Sequence, residues 1–215
     1  MDFGRFSEEL PRLFDQFPRS PHPHDRRFAD VLEAVPGLAC ENNLALLNLA
    51  AACLEPGESY VEVGSFRGTS LIAALLGNEG DFVAIDDFSF REASREQLEA
   101  NLSRFGLDGR ATILEGDAFE LLRGGALEGR RAGVYYYDAA HSYEQQLDGL
   151  VLAEPYLADR ALLVVDDSEW DFVERATRDY LERQPRARML FDIPGDENGD
   201  SPWWCGVHVL AFERG

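Results

Sequence analysis

From Ser59 onward, short runs of aliphatic, β-branched and aromatic residues alternate with longer amphipathic segments, and no other feature restricts the fold of this chain as strongly. The pattern predicts strands over residues 60–63, 82–85, 111–114, 134–137, 161–165, 189–193 and 206–212, and helices over 69–76, 91–105, 118–122, 143–157 and 171–183. Runs such as Val134-Tyr-Tyr-Tyr137 and Ala161-Leu-Leu-Val-Val165 lack a polar face, so they belong to strands covered on both sides. Strand and helix in alternation make βαβ units, hence an α/β fold: a doubly wound, seven-stranded, mostly parallel sheet with helices on both faces. Only a turn-rich stretch from Pro194 to Pro202 separates the last two strands, so a hairpin there makes the final strand antiparallel.

The chain before Ser59 reads differently. Leu10, Leu13, Phe14 and Phe17 fall at helical spacing within residues 7–17, and residues 43–54 form an apolar, alanine-rich helical segment. The breaker-rich stretch Pro18-Arg-Ser-Pro-His-Pro-His24 between them is expected to be a mobile hinge. A chain of 215 residues with 45% hydrophobic composition is sized for one domain, so residues 1–56 are expected to form a helical cover belonging to the same domain as 57–215. No apolar run approaches a membrane span in length and Met1-Asp-Phe-Gly-Arg5 does not begin a secretory leader, so a cytoplasmic protein with no membrane contact is expected. Cys40, Cys53 and Cys205 lie far apart among apolar neighbours, which suits reduced core thiols rather than a disulfide framework or a zinc site.

The formal charge is −20, and all 20 basic residues are arginine. An acidic surface repels phosphate, so nucleic acid is not an expected partner. The missing lysine removes Walker-type phosphate binding, Schiff-base chemistry, a lysine general base and the Tyr-x-x-x-Lys pair of many nicotinamide dehydrogenases.

Ligands of open α/β sheets sit beyond the carboxyl ends of the strands, and here those ends carry glycines and acids. The first strand runs into Glu62-Val-Gly64-Ser65-Phe-Arg-Gly68-Thr-Ser70 and then a helix, a nucleotide-type loop whose glycines let a ligand approach the backbone. Asp86 ends the second strand, where an acid can take a ribose diol. Gly116-Asp117-Ala118 ends the third, where a carboxylate and an amide can read an adenine edge. Asp138 ends the fourth and Asp166-Asp167 the fifth. Three convergent carboxylates repel one another, and a hard divalent cation such as Mg²⁺ or Ca²⁺ best neutralises them. Each acid could instead cap the helix that follows it.

Taken together, Glu62-x-Gly64-x-x-x-Gly68-x-Ser70, Asp86, Asp117, Asp138 and Asp166-Asp167 resemble the Rossmann-like class I S-adenosylmethionine-dependent methyltransferases of the metal-dependent O-methyltransferase group. The likeness is nearest to bacterial enzymes that methylate the sugars of macrolide and aminocoumarin natural products, with the catechol O-methyltransferases more distant. It spans roughly residues 43 to 212. The resemblance implies that Glu62 is one of the cofactor-binding residues, that Gly64, Ser65 and Gly68 approach the methionine part of S-adenosylmethionine, Ser70 its carboxylate, Asp86 the ribose, and Asp117 with Ala118 the adenine. It implies that Asp138, Asp166 and Asp167 hold Mg²⁺. Catechol enzymes end the fifth strand with Asp-Asn, so Asp166-Asp167 favours the sugar-like branch.

Some sugar enzymes place an acidic base two residues after the first metal aspartate, where this chain has Ala140, and others a histidine one residue later, so His141 is the candidate base. An unperturbed imidazole, with a pKa of about 6.5, suits proton abstraction near neutral pH; His141 could instead cap the next helix. Tyr143 and Trp170 flank the metal aspartates and are expected to wall the acceptor, a small hydroxylated molecule such as a natural-product sugar or vicinal diol. Trp203-Trp204 could add to that wall, although tryptophans at a strand entry are more often core or dimer contacts, which leaves a homo-oligomer open. Two other readings remain open: a metal-independent methyltransferase of the same fold, and a noncatalytic protein that only binds the cofactor.

Overall fold

The computed structural model describes residues 1–140, 142–196, 198 and 200–214. Among these, seven strands form one sheet: β1 (Ser59–Val63), β2 (Asp81–Asp86), β3 (Thr112–Glu115), β4 (Ala132–Tyr137), β5 (Leu157–Asp166), β6 (Ala187–Ile193) and β7 (Val207–Glu213). Their spatial order is β3-β2-β1-β4-β5-β7-β6. The first five pair in parallel, whereas β7 is antiparallel to both β5 and β6. The expected antiparallel final strand is therefore present, inserted between its two predecessors. The strand order reverses between β1 and β4, which opens a crevice at their carboxyl ends.

Neighbouring residues of one strand serve different layers. Tyr60, Val134, Tyr136, Leu162 and Val164 join the core under α1 (Phe3–Glu9), α2 (Arg27–Ala34), α3 (Glu41–Ala52), α4 (Thr69–Leu75) and α5 (Arg95–Arg104). Val61, Val63, Tyr135, Tyr137, Leu163 and Val165 join the core under α6 (Ala118–Arg123), α7 (Tyr143–Ala153) and α8 (Asp171–Arg183). The period of two is intact although both faces are apolar.

Proline and capping residues account for the shifted helix boundaries. The helix expected over 7–17 starts earlier and tightens at Pro11 into a 3₁₀ turn, Leu10–Leu13. The helix expected over 91–105 begins only after Ser94, whose hydroxyl accepts from Gln97 N at 3.2 Å. The one expected over 143–157 ends at Ala153, and Pro155 carries the chain through a 3₁₀ turn into β5.

The N-terminal cover is fastened to the sheet end of the molecule. Trp203 is fully buried against Phe14 and Phe17, and its indole donates to Pro18 O at 2.7 Å. Asn42 donates to Ser20 O at 2.9 Å, so the stretch expected to be a hinge is tied at two carbonyls. Thr69 donates to Val35 O at 3.0 Å and Arg104 to Ala34 O at 2.6 Å, which holds the chain after α2 against α4 and α5.

At the crevice itself, the ends of β1 and β4 are pressed together. Asp138 N donates to Val63 O and Gly64 N to Ile85 O, each at 2.9 Å. Gly64 has φ +93°, and a Cβ there would stand 1.8 Å from Asp138 O. Gly64→Ala should therefore cost about 2–5 kcal/mol, combining left-handed strain with overpacking against backbone. Urea unfolding measures this, and a loss near the ~0.5 kcal/mol of an ordinary surface change would contradict it.

Candidate functional site

A cavity of about 730 Å³ lies beyond the carboxyl ends of β1, β2, β4 and β5, within the range of small-molecule sites. Gly64, Ser65 and Ser70 line it from the first loop, Asp86 from β2, Asp117 and Ala118 from the start of α6, and Asp138, Asp166, Asp167 and Trp170 from the fourth and fifth strand ends. Gly37, Leu38 and Ala39 of the cover close one side.

Two carboxyl groups, the half-buried Asp138 and the buried Asp166, meet around one phenol. Tyr136 Oη lies 2.7 Å from Asp166 Oδ2 and 3.1 Å from Asp138 Oδ2. A phenol has one proton to donate, and it goes to the nearer Asp166; the closeness of Asp138 then calls for a second proton or for positive charge. Burial and the charges of Asp166 and Asp167 raise the Asp138 carboxyl well above the usual range. Burial first, then the Asp167 charge, push Asp166 up to about 7. Burial also holds the Tyr136 phenol protonated. On its other oxygen Asp166 accepts from Asn43 Nδ2 at 3.2 Å and from Asp167 N at 3.1 Å. Asp167 adopts φ +55°, a left-handed conformation that turns the chain away from β5.

The matches to known proteins agree with this architecture. Residues 61–168 match the model of a family described as methyltransferase domain. The chain belongs to this methyltransferase family. Among solved structures, the methyltransferase resembles TomG of Streptomyces achromogenes, an O-methyltransferase of tomaymycin synthesis crystallised with S-adenosylmethionine, at 18% identity over 100% of each chain and a TM-score of 0.67. It resembles an O-methyltransferase of Bacillus cereus in complex with S-adenosylhomocysteine at 16% identity over 96% of each chain, TM-score 0.63. A Podospora anserina methyltransferase with bound S-adenosylhomocysteine aligns at 15% identity over 98% of this chain and 94% of its own, TM-score 0.63. At such identities the likeness is one of fold. No curated protein matches the sequence.

Several residues expected at the methyltransferase site have work inside the protein. Glu62 does not line the cavity: it is fully buried behind the loop, where it accepts from Tyr60 Oη at 2.9 Å and Ser70 Oγ at 3.2 Å. The Ser70 hydroxyl proton is thus committed to Glu62. Gly68 does not line the cavity either; its φ of +87° makes the left-handed turn that starts α4. Asp86 accepts from Phe66 N at 2.7 Å and Phe88 N at 2.6 Å, one on each oxygen, stapling two loops while each oxygen keeps a further lone pair. Asp117 caps α6 through Glu120 N at 2.9 Å.

Of the two residues expected to wall the acceptor, Trp170 lines the cavity but Tyr143 does not: its hydroxyl bonds Asp179 and its ring lies under Arg175, both on α8. His141 lies outside the described residues. Ser142, which follows it, caps α7 by accepting from Gln145 N at 3.2 Å. Among the described residues no three Asp, Glu, His or Cys side chains are gathered so as to hold a metal ion as they stand.

Sequence reasoning missed Phe66, Phe90, Arg91, Phe119 and Cys205, which line the cavity together with Trp204. Phe90 and Leu38 are exposed at 51% and 42%, an apolar rim to an acid-lined interior. Burial pushes the Cys205 thiol up to about 11, so it is not a thiolate nucleophile at neutral pH. None of the helices described is long and apolar enough to cross a membrane.

Burial also pushes Glu62 up to about 7, whereas a glutamate in an unfolded chain titrates near about 4.3. Between those values the folded protein keeps a proton that the unfolded chain has lost, so stability falls as pH rises through the window and levels off above it. The raised Asp166 carboxyl acts with the same sign. Glu62→Gln should remove a share on the order of 3 kcal/mol from the drop in unfolding free energy between about pH 5 and pH 7.5. An unchanged drop in the folded variant would count against the buried, protonated Glu62.

Proposed function

We propose that this methyltransferase uses S-adenosylmethionine to methylate a hydroxyl of a small hydroxylated acceptor, a natural-product sugar or another vicinal diol, with Mg²⁺ or a similar cation at Asp138, Asp166 and Asp167. The observation that carries the reading is that these three acids share one cavity with Asp86 and Asp117, the acids of the nucleoside side. Cofactor-bound relatives of the same fold support the choice of methyl donor.

The donor set suits a hard cation: it is all oxygen, with Asp166 buried and Asp138 and Asp167 half-buried, and burial together with mutual repulsion raises Asp138 and Asp166. A divalent ion bound there supplies chelation of neighbouring acceptor oxygens and a lower hydroxyl pKa. The protein's own groups do the rest. Asp86 offers its remaining lone pairs to the ribose hydroxyls, while Asp117, the Ala118 amide and the Phe119 ring border the adenine. Gly64, Ser65 and Ser70 border the methionine part, the Ser70 amide rather than its hydroxyl meeting the carboxylate. Trp170 and Trp204 wall the acceptor and exclude water, so that its oxygen is held against the methyl carbon. His141, one residue beyond the cavity-lining Ala140, accepts the hydroxyl proton.

One observation favours a metal-independent variant of this reaction: three protein donors already occupy Asp166. Turnover with excess EDTA, measured by methyl transfer to a panel of hydroxylated sugars and catechols, separates the two. The cation-dependent enzyme should lose turnover and recover it with Mg²⁺, and Asp167→Ala should lose turnover and metal-dependent acceptor binding together. His141→Ala should keep cofactor and metal but lose about 10²–10⁴-fold in rate, a loss that shrinks as rising pH ionises the acceptor hydroxyl unaided. Full activity in EDTA removes the cation from the mechanism, and wild-type turnover of His141→Ala at neutral pH removes the base.

A further inference from the structure

Helix α3 is almost wholly buried, yet three asparagines lie in it. Asn42 and Asn48 are anchors within the scaffold: Asn42 donates to Ser20 O, and Asn48 donates to Ala73 O at 2.7 Å and Leu76 O at 2.8 Å while accepting from Arg27. Asn43 differs. It is 4% exposed, and its Nδ2 donates to Asp166 Oδ1, on a strand end 123 residues away in sequence. Its own Oδ1, like that of Asn42, is buried with no hydrogen-bond partner among the described residues, so what sets Asn43 apart is the carboxylate it donates to. An unsatisfied buried carbonyl costs about 1–3 kcal/mol. A leucine there would match the run Leu44-Ala45-Leu46-Leu47 that follows without that cost.

We infer that Asn43 is a positioning residue for the reaction: it fixes the rotation of the Asp166 carboxylate, and so makes the N-terminal cover part of the acceptor and cation site. A carboxylate on a strand end can turn about its Cβ–Cγ bond. Here Oδ1 is gripped by Asn43 Nδ2 and Asp167 N together, which leaves Oδ2 as the edge shared with Tyr136 and, across that hydroxyl, with Asp138. Without Asn43 the group keeps the Asp167 amide on Oδ1 and the Tyr136 hydroxyl on Oδ2, both from the sheet that carries it; Asn43 adds a second donor on Oδ1 from a different element and narrows the rotation that those two leave. Partners of this kind behind a metal-binding carboxylate are typically worth 10–100-fold in metal affinity.

The inference rests on the proposed cation site, and its test separates the two. Asn43→Leu keeps the number and branching of the side-chain heavy atoms and removes the donor; Asn43→Ala serves if the bulkier leucine variant fails to unfold cooperatively. With S-adenosylhomocysteine bound, Mn²⁺ affinity followed by electron paramagnetic resonance should fall about 10–100-fold. Affinity for S-adenosylhomocysteine should stay at the wild-type value, because Asn43 does not line the cavity. A crystal structure of the variant should show the Asp166 carboxylate turned from its wild-type orientation. Unchanged Mn²⁺ affinity, a parallel loss of Mn²⁺ and S-adenosylhomocysteine, or an Asp166 carboxylate that keeps its orientation each overturns the positioning role. If the wild-type protein binds no Mn²⁺, the cation reading fails, and the orientation of Asp166 in the variant alone decides for or against Asn43.

Discussion

The structure is organised around negative charge that has been taken out of water. Glu62 and Asp166 are buried and Asp138 half-buried at the carboxyl edge of the sheet, where like charges reinforce each other in a medium that screens them poorly. Much of the local architecture answers that load. Tyr60 and Ser70 donate to Glu62, Tyr136 and Asn43 to Asp166, and backbone amides of two loops to Asp86. The loops take their shapes from these bonds, and the cavity takes its shape from the loops.

This arrangement explains why a strongly acidic chain builds its site from further acids. Arg91 is the single arginine on the cavity wall among the described residues, against six aspartates. Such an interior disfavours anionic ligands and suits a sulfonium or a metal ion, while the apolar rim of Leu38 and Phe90 faces uncharged portions of whatever enters.

The sheet was legible in the sequence because strand runs and strand-end acids are local signals: all seven strands lie where the alternation places them, and Asp86, Asp117, Asp138, Asp166 and Asp167 all reach one cavity. What stayed hidden depends on faces and on distant partners. Val134 to Tyr137 reads as uniformly buried, and nothing in that run says that Tyr136 alone of its three tyrosines joins the layer carrying α3. Asn43 looks like an ordinary helix residue until folding sets it beside Asp166. Cys205 reaches the cavity because β7 inserts next to β5, which an antiparallel final strand does not by itself require, and the same insertion splits the Trp203-Trp204 pair into a core residue and a wall residue. Glu62 and Gly68, read as ligand contacts from the loop motif, instead serve the loop's own geometry.

The insertion of β7 also bears on how the chain can assemble during synthesis. Strand β6 pairs with β7 alone, and β7 follows it in sequence, so β6 has no place in the sheet when it leaves the ribosome. Until β7 arrives, the outer side of β5 presents unpaired amides and carbonyls flanked by Leu162, Leu163, Val164 and Val165. Such an open apolar edge invites pairing with another nascent chain. The hairpin that delivers β7 also sets Trp203 against the cover and Trp204 in the cavity wall, so it closes the edge and completes the site in one step. Partly made chains are therefore expected to be sticky and inactive together, and a cell making this protein quickly would depend on chaperones that shield one particular strand.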